Sequence, residues 1–132
     1  MITLDTSGLF ALLNRSDRDH RAARDALLSD GGPYLVPVGI LGEISYLVEE
    51  RLGTPVLEAM LSDLEAGGLR AECGENDLAR IRQLVVRYAD LPLGFAEACV
   101  IACAERNGGA VLTLDRRDFD VVAADVPLAL LP

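Results

Sequence analysis

The chain contains no lysine. That absence excludes a phosphate-loop lysine, a Schiff-base lysine, and the lysine that phosphoacceptor-aspartate signalling domains use. Histidine occurs once, as His20 within the charged run Asp17 to Asp25. A Ser-His-Asp triad built on so exposed a histidine is not expected. Cysteine is scarce and odd in number, at three, which speaks against a disulfide framework. Cys99 and Cys103, four apart on one expected helix, read as small core residues, because Cys-x-x-x-Cys lacks the usual companions of a zinc site. Apolar residues make up 51% of the chain, yet no run approaches the ~18 residues that suggest a membrane span. The opening residues read as a strand rather than a signal peptide. A cytosolic protein with no membrane partner is expected.

What the chain does have is acid. Twenty-one Asp and Glu against twelve Arg leave a net charge of −9. General electrostatics at that charge repel nucleic acid, so a polyanionic substrate needs metal ions or a local arginine patch to bind. At 132 residues the chain fits one domain spanning 1–132.

Along that length strand-like and helix-like segments alternate. Strands are expected at 1–4, 34–36, 69–73, 110–114 and 128–130. Helices are expected from Thr6 or Ser7 as a cap through Leu13, from Asp17 to about Ser29, and over 38–52, 56–65, 76–88 and 93–107. Thr54 and Pro55 suit the start of the fourth of these helices, and Gly108-Gly109 the end of the last. Strands separated by helices require crossovers, which implies an α/β fold: a three-layer α/β/α sandwich with a mainly parallel central sheet.

Four acids stand out against that pattern. Asp5 closes the apolar run 1–4 and Asp115 the run 110–114, so each sits where an open α/β sheet presents the carboxyl ends of its strands to ligands. Glu43 and Glu97 lie inside apolar helical stretches, where an unpaired carboxylate is unusual without a cation. Together they suggest a metal site. Hydrolysis of a phosphodiester requires an activated water and neutralised charge on the leaving oxygen, and hard divalent cations, which favour carboxylate oxygens, supply both.

The segments Met1-Ile2-Thr3-Leu4-Asp5-Thr6-Ser7, Gly42-Glu43-Ile44, Leu91-Pro92-Leu93-Gly94-Phe95-Ala96-Glu97-Ala98 and Val111-Leu112-Thr113-Leu114-Asp115-Arg116-Arg117-Asp118-Phe119 resemble those of the PIN-domain ribonucleases, and more narrowly the VapC-type toxins of toxin–antitoxin systems. The resemblance spans nearly the whole chain. It implies a metal-dependent endoribonuclease that hydrolyses single-stranded RNA, with Mg²⁺ or Mn²⁺ held by Asp5, Glu97, Asp115 and Glu43. It also implies a cognate antitoxin that blocks the site, and a homodimer. The chain departs from the pattern at Glu97, where these domains usually carry aspartate, and the extra methylene moves the carboxylate outward. Thr6 and Thr113 match positions beside the acids and are expected to orient a carboxylate, a water or the substrate. Arg116 and Arg117 are candidates for phosphate contact, or else loop arginines paired with Asp118 or Asp120. The apolar residues Ile40 to Val48 and Val56 to Leu64 offer a docking face or simply core. A second function class stays open on the same residues: a PIN-like module, weakened by Glu97, that binds RNA or a protein without cleaving.

Overall fold

A computed structural model describes residues 1–132. Five short strands, β1 (Ile2–Leu4), β2 (Tyr34–Pro37), β3 (Arg70–Glu72), β4 (Ala110–Leu112) and β5 (Ala129–Leu131), form one sheet in the order β3-β2-β1-β4-β5. Every pairing is parallel. Seven α-helices supply the connections: α1 (Thr6–Leu13), α2 (His20–Asp30), α3 (Leu41–Leu52), α4 (Thr54–Ala66), α5 (Leu78–Arg87), α6 (Phe95–Arg106) and α7 (Arg116–Ala123). This is the expected three-layer α/β/α arrangement. No helix is long and apolar enough to cross a membrane.

The strand order carries the functional consequence. From β1 the chain steps outward through β2 to β3, then returns to the other side of β1 to place β4 and β5. The order therefore reverses between β1 and β4, and at such a switch point the loops leaving the two strands diverge and open a crevice at their carboxyl ends. Thr3 pairs with Val111 and Leu4 with Leu112. In that register Asp5 and Thr113 leave the sheet side by side, and the Asp5 N–H still donates to the Leu112 carbonyl at 3.0 Å.

Strands this short are held by burial on both faces. Ile2, Leu4, Val36, Val111 and Leu112 are fully buried against Ile101, Phe119, Leu84 and Met60. Ile40, Ile44 and Val48 recur every four residues and form the inward stripe of α3. These residues and Met60 of α4 are therefore core, not a docking face. At the far end of α6, Arg106 grips the buried Asp77 with two hydrogen bonds of 2.7 and 2.9 Å and ties α6 to the loop before α5.

Several expectations shift. Neither Thr6 nor Ser7 caps α1: Asp5 occupies the capping position without a side-chain cap bond, and its carboxylate is engaged elsewhere. The second helix begins at His20 rather than Asp17, because the Asp17 carboxylate accepts the Asp19 N–H and folds residues 17–19 into a turn. Residues 38–40 form a single 3₁₀ turn before α3. The strand expected to reach Leu114 stops at Leu112, and the segment read as a loop after Asp115 is α7, whose Phe119 and Val122 are buried one turn apart. Cys99 and Cys103 are core residues, and burial pushes the Cys99 thiol up to about 11, which leaves it protonated and unreactive.

Candidate active site

Asp5 is the best-defined of the four acids. It is 6% exposed, and its Oδ2 accepts hydrogen bonds from the Ser7 hydroxyl at 2.8 Å and the Thr113 hydroxyl at 2.9 Å. Each hydroxyl has one proton, and both protons go to Asp5, so the 3.3 Å contact between Ser7 and Thr113 is an approach of two oxygens. Their lone pairs are used as well. Ser7 Oγ accepts the Leu114 N–H at 2.9 Å, and Thr113 Oγ1 accepts the Asp115 N–H at 3.0 Å. The backbone of the β4–α7 turn is thereby oriented by the same two hydroxyls that hold Asp5. Such a chain of donors and acceptors, buried where the dielectric is low, is strong only when complete, as it is here.

Electrostatics push Asp5 the other way. Burial raises its carboxyl above the ordinary range, the hydrogen bonds from Ser7, Thr113 and the Thr6 backbone pull it down, and the Glu97 carboxylate nearby raises it further. The net direction is upward. Two carboxylates remote in sequence thus repel each other near the switch point.

Glu97 lies in the first turn of α6. Its longer side chain folds back toward the start of its own helix, where Oε2 lies 2.8 Å from the position a Cβ on Gly94 would take. The missing side chain at Gly94 makes room for the carboxylate. Gly94 has ordinary extended backbone angles, so alanine fits there without strain and displaces only the end of Glu97. Gly94→Ala is expected to lower activity by about tenfold, the size of effect seen when the support of a catalytic group is disturbed, while the melting temperature barely moves. Combining it with Glu97→Asp, which withdraws the carboxylate, restores part of the loss in a side-by-side activity assay.

The remaining candidates are placed less closely. Asp115 begins the α7 segment and is half-buried, with its backbone fixed by Thr113. Glu43, which its apolar sequence neighbours place on or near the apolar side of α3, is exposed, because the buried stripe runs through Ile40, Ile44 and Val48. Thr113 is fully buried, with its hydroxyl engaged by Asp5 and the Asp115 N–H. Thr6 is buried with no partner for its hydroxyl. Arg116 pairs with Asp120 at 3.0 Å, one turn along α7, and Arg117 reaches toward Asp118 at 3.9 Å, both from a helix and not from the expected loop. Two residues were missed by the sequence reading. Ser7 joins the Asp5 network, and Asp118 keeps Oδ1 shielded from solvent with no hydrogen-bond partner. The only signal for either was adjacency to a candidate acid.

The donor chemistry of this crevice fits a hard divalent cation. It consists of carboxylate and hydroxyl oxygens, with the Asp5 and Glu97 carboxylates in mutual repulsion and with a buried Thr6 hydroxyl that has no hydrogen-bond partner next to Asp5 in the chain. No three His, Cys, Asp or Glu side chains converge on one point, however.

Comparison with known proteins adds an independent line. A family model described as PIN domain matches residues 2–125. Ribonuclease VapC26 of Mycobacterium tuberculosis is 31% identical over 121 residues, covering 90% of each chain. The crystal structure of VapC20 from the same organism, described as a sarcin-ricin loop cleaving toxin, superposes with a TM-score of 0.78 at 25% identity over 100% of both chains. The fold is also that of VapBC2 from Rickettsia felis bound to a promoter DNA fragment, with a TM-score of 0.69 at 16% identity over 98% of this chain and 97% of that one.

Proposed function

The chain belongs to the PIN-domain family, in its VapC-type branch, and on that premise we propose that residues 1–132 act as one metal-dependent endoribonuclease domain that hydrolyses phosphodiester bonds of single-stranded RNA. The observation that carries this reading is Asp5, a buried carboxylate at the sheet's switch point, held by two hydroxyls, with the Glu97 charge opposing its own. Nothing structural requires a charge there, and a neutral side chain would avoid both the desolvation and the repulsion.

Asp5 and Glu97 are the proposed metal ligands, with Asp115 and Glu43 as further acids of the catalytic set. Mg²⁺ or Mn²⁺ held there supplies positive charge at the scissile phosphate and makes a nearby water a stronger acid. The residues do the placing. Ser7 and Thr113 fix the Asp5 carboxylate, Thr113 orients the Asp115 backbone, and Gly94 lets Glu97 reach the crevice. The Thr6 hydroxyl, buried and without a hydrogen-bond partner, is proposed to orient a bound water. Arg116 and Arg117, exposed at the start of α7, are proposed to meet the RNA backbone after giving up their weak surface pairs with Asp120 and Asp118.

As a VapC-type chain it is proposed to act as a toxin, dimeric and cytoplasmic, restrained by a cognate antitoxin. A crevice of mutually repelling carboxylates favours an inhibitor that inserts a guanidinium in place of the cation. The test is direct. Purified protein with unpaired RNA is expected to cleave in Mn²⁺ or Mg²⁺ and to stop in EDTA. Intact RNA with every divalent cation tried would reject the nuclease and leave the non-catalytic module.

A further inference from the structure

Aromatic side chains are few here: three Phe, three Tyr and no Trp. Phe119 and Tyr88 are buried, and Phe10 and Tyr34 pack partly against the core. The two left in solvent are Phe95, 56% exposed, and Tyr46, 67% exposed. Neither position is arbitrary. Phe95 opens α6 two residues before Glu97, in the same helical turn but on a different face, and Tyr46 follows Glu43 by three on α3, a spacing that puts Tyr46 and Glu43 on one face. The chain's only two solvent-facing aromatics thus each neighbour a proposed catalytic acid.

The setting of Phe95 supports a ligand role over a packing one. Its ring edge lies 3.5 Å from where a Cβ of Gly39 would stand, in the 3₁₀ turn that links β2 to α3. Beside it Val38 is 41% exposed, and Val38, Gly39, Phe95 and Cys99 line one hollow. The ring therefore rests between α6, which carries Glu97, and the 3₁₀ turn that leads into α3, with more than half of its surface uncovered.

Electrostatics say what that surface is for. A chain of net charge −9, with acids at its centre, gains little from long-range attraction to phosphates. Stacking of a base on an aromatic ring is indifferent to that charge and works with any base that is free of a duplex. We propose that Phe95 and Tyr46 are base-stacking platforms that grip unpaired nucleotides beside the scissile phosphate, and that this contact makes the enzyme select unpaired RNA. The inference rests on the ribonuclease reading above. The platforms are positioning residues: they hold the strand while the acids act.

The experiment uses the full chain, its Phe95→Leu, Tyr46→Leu and Phe95→Trp variants, and an RNA presented either unpaired or within a duplex. Leucine keeps the apolar bulk over Gly39 but removes the flat face. In Mn²⁺, Phe95→Leu and Tyr46→Leu are each expected to raise KM for unpaired RNA by about tenfold with kcat within about twofold, in line with the effect of removing one stacking residue. Phe95→Trp restores KM, and duplex RNA is cut poorly by all. In EDTA, where no cleavage occurs, the wild-type protein quenches 2-aminopurine placed in the unpaired RNA, and the leucine variants quench less. Unchanged KM and quenching in both leucine variants of an active enzyme overturn the stacking role and leave the nuclease standing. A wild type that cleaves nothing overturns the nuclease, and Phe95-dependent quenching in that protein still upholds the stacking contact. Loss of a dimer in the leucine variants, with KM following the dimer fraction, overturns the inference in favour of an interface between copies.

Discussion

Replacing Asp5 by asparagine is expected to end RNA cleavage while making the metal-free protein harder to unfold. The activity loss should exceed about a hundredfold, beyond the 10- to 100-fold typical for residues that merely support a metal ligand. The stability gain follows from the direction of the Asp5 carboxyl. Asparagine keeps an oxygen to accept the protons of Ser7 and Thr113, and it removes both the buried charge and the repulsion from Glu97.

The gain has a pH signature. Folded Asp5 holds its proton to higher pH than an unfolded aspartate, whose value is about 3.9. In the window above that value the native state binds more protons than the unfolded state, so wild-type stability falls as pH rises through it. Where Asp5 is protonated in both states the penalty vanishes. The excess melting temperature of Asp5→Asn over wild type should therefore be small near pH 4, open toward neutrality, and then level off. Adding Mn²⁺ should reverse the order by stabilising only the wild type, by about 2.7 kcal/mol at a hundred times the dissociation constant. Thermal melts of both proteins across pH, with and without Mn²⁺, decide it. An Asp5→Asn protein less stable than wild type at pH 7 without metal would mean that the hydroxyl network stabilises the charge more than burial opposes it.

The second large effect concerns Gly8. It lies inside α1, where alanine ordinarily stabilises by about 0.5–1 kcal/mol. Here a Cβ would stand 2.3 Å from the Leu112 carbonyl oxygen, the same oxygen that accepts the Asp5 N–H. Backbone cannot rotate away as a side-chain tip can. Gly8→Ala must push α1 off β4 and stretch the Ser7–Thr113–Leu114 contacts, so overpacking of about 1–3 kcal/mol outweighs the helical gain. The expected fall in melting temperature is roughly 3–10 °C, accompanied by loss of cleavage because Asp5 sits in the same strand–helix junction. Gly42→Ala is the control. It too is helical, but nothing lies within 4 Å of its added methyl, and it should stabilise by about 0.5–1 kcal/mol. Chemical denaturation of the three proteins checks the pair, and equal behaviour of the two alanine variants would show that α1 does not rest on β4 so closely.

The positions the sequence reading got right and wrong divide along a physical line. Leu4 and Leu114 end apolar runs that need no partner to be recognised, and an acid immediately after each stands out. Helix α7 was overlooked because Arg116, Arg117, Asp118 and Asp120 mask its two inward positions, Phe119 and Val122. Glu43 was placed on the wrong side of α3 because it neighbours Ile44 in the chain, whereas on a helix the next residue turns away by about 100°. Glu97 was noticed for its unusual identity, yet the space that Gly94 leaves for it is a matter of coordinates.

Local pattern alone thus settled the alternation of elements, the parallel sheet and the carboxylates at its strand ends, because side-chain periodicity and turn chemistry are properties of neighbours along the chain. Folding in three dimensions settled which oxygens share protons. Ser7 meets Thr113 and Leu114 across more than a hundred residues, and Asp5 meets Glu97 only because α6 packs against β1. Hydrogen bonds and charge repulsion act over a few ångströms, so they depend on the packing of remote segments that no local reading contains.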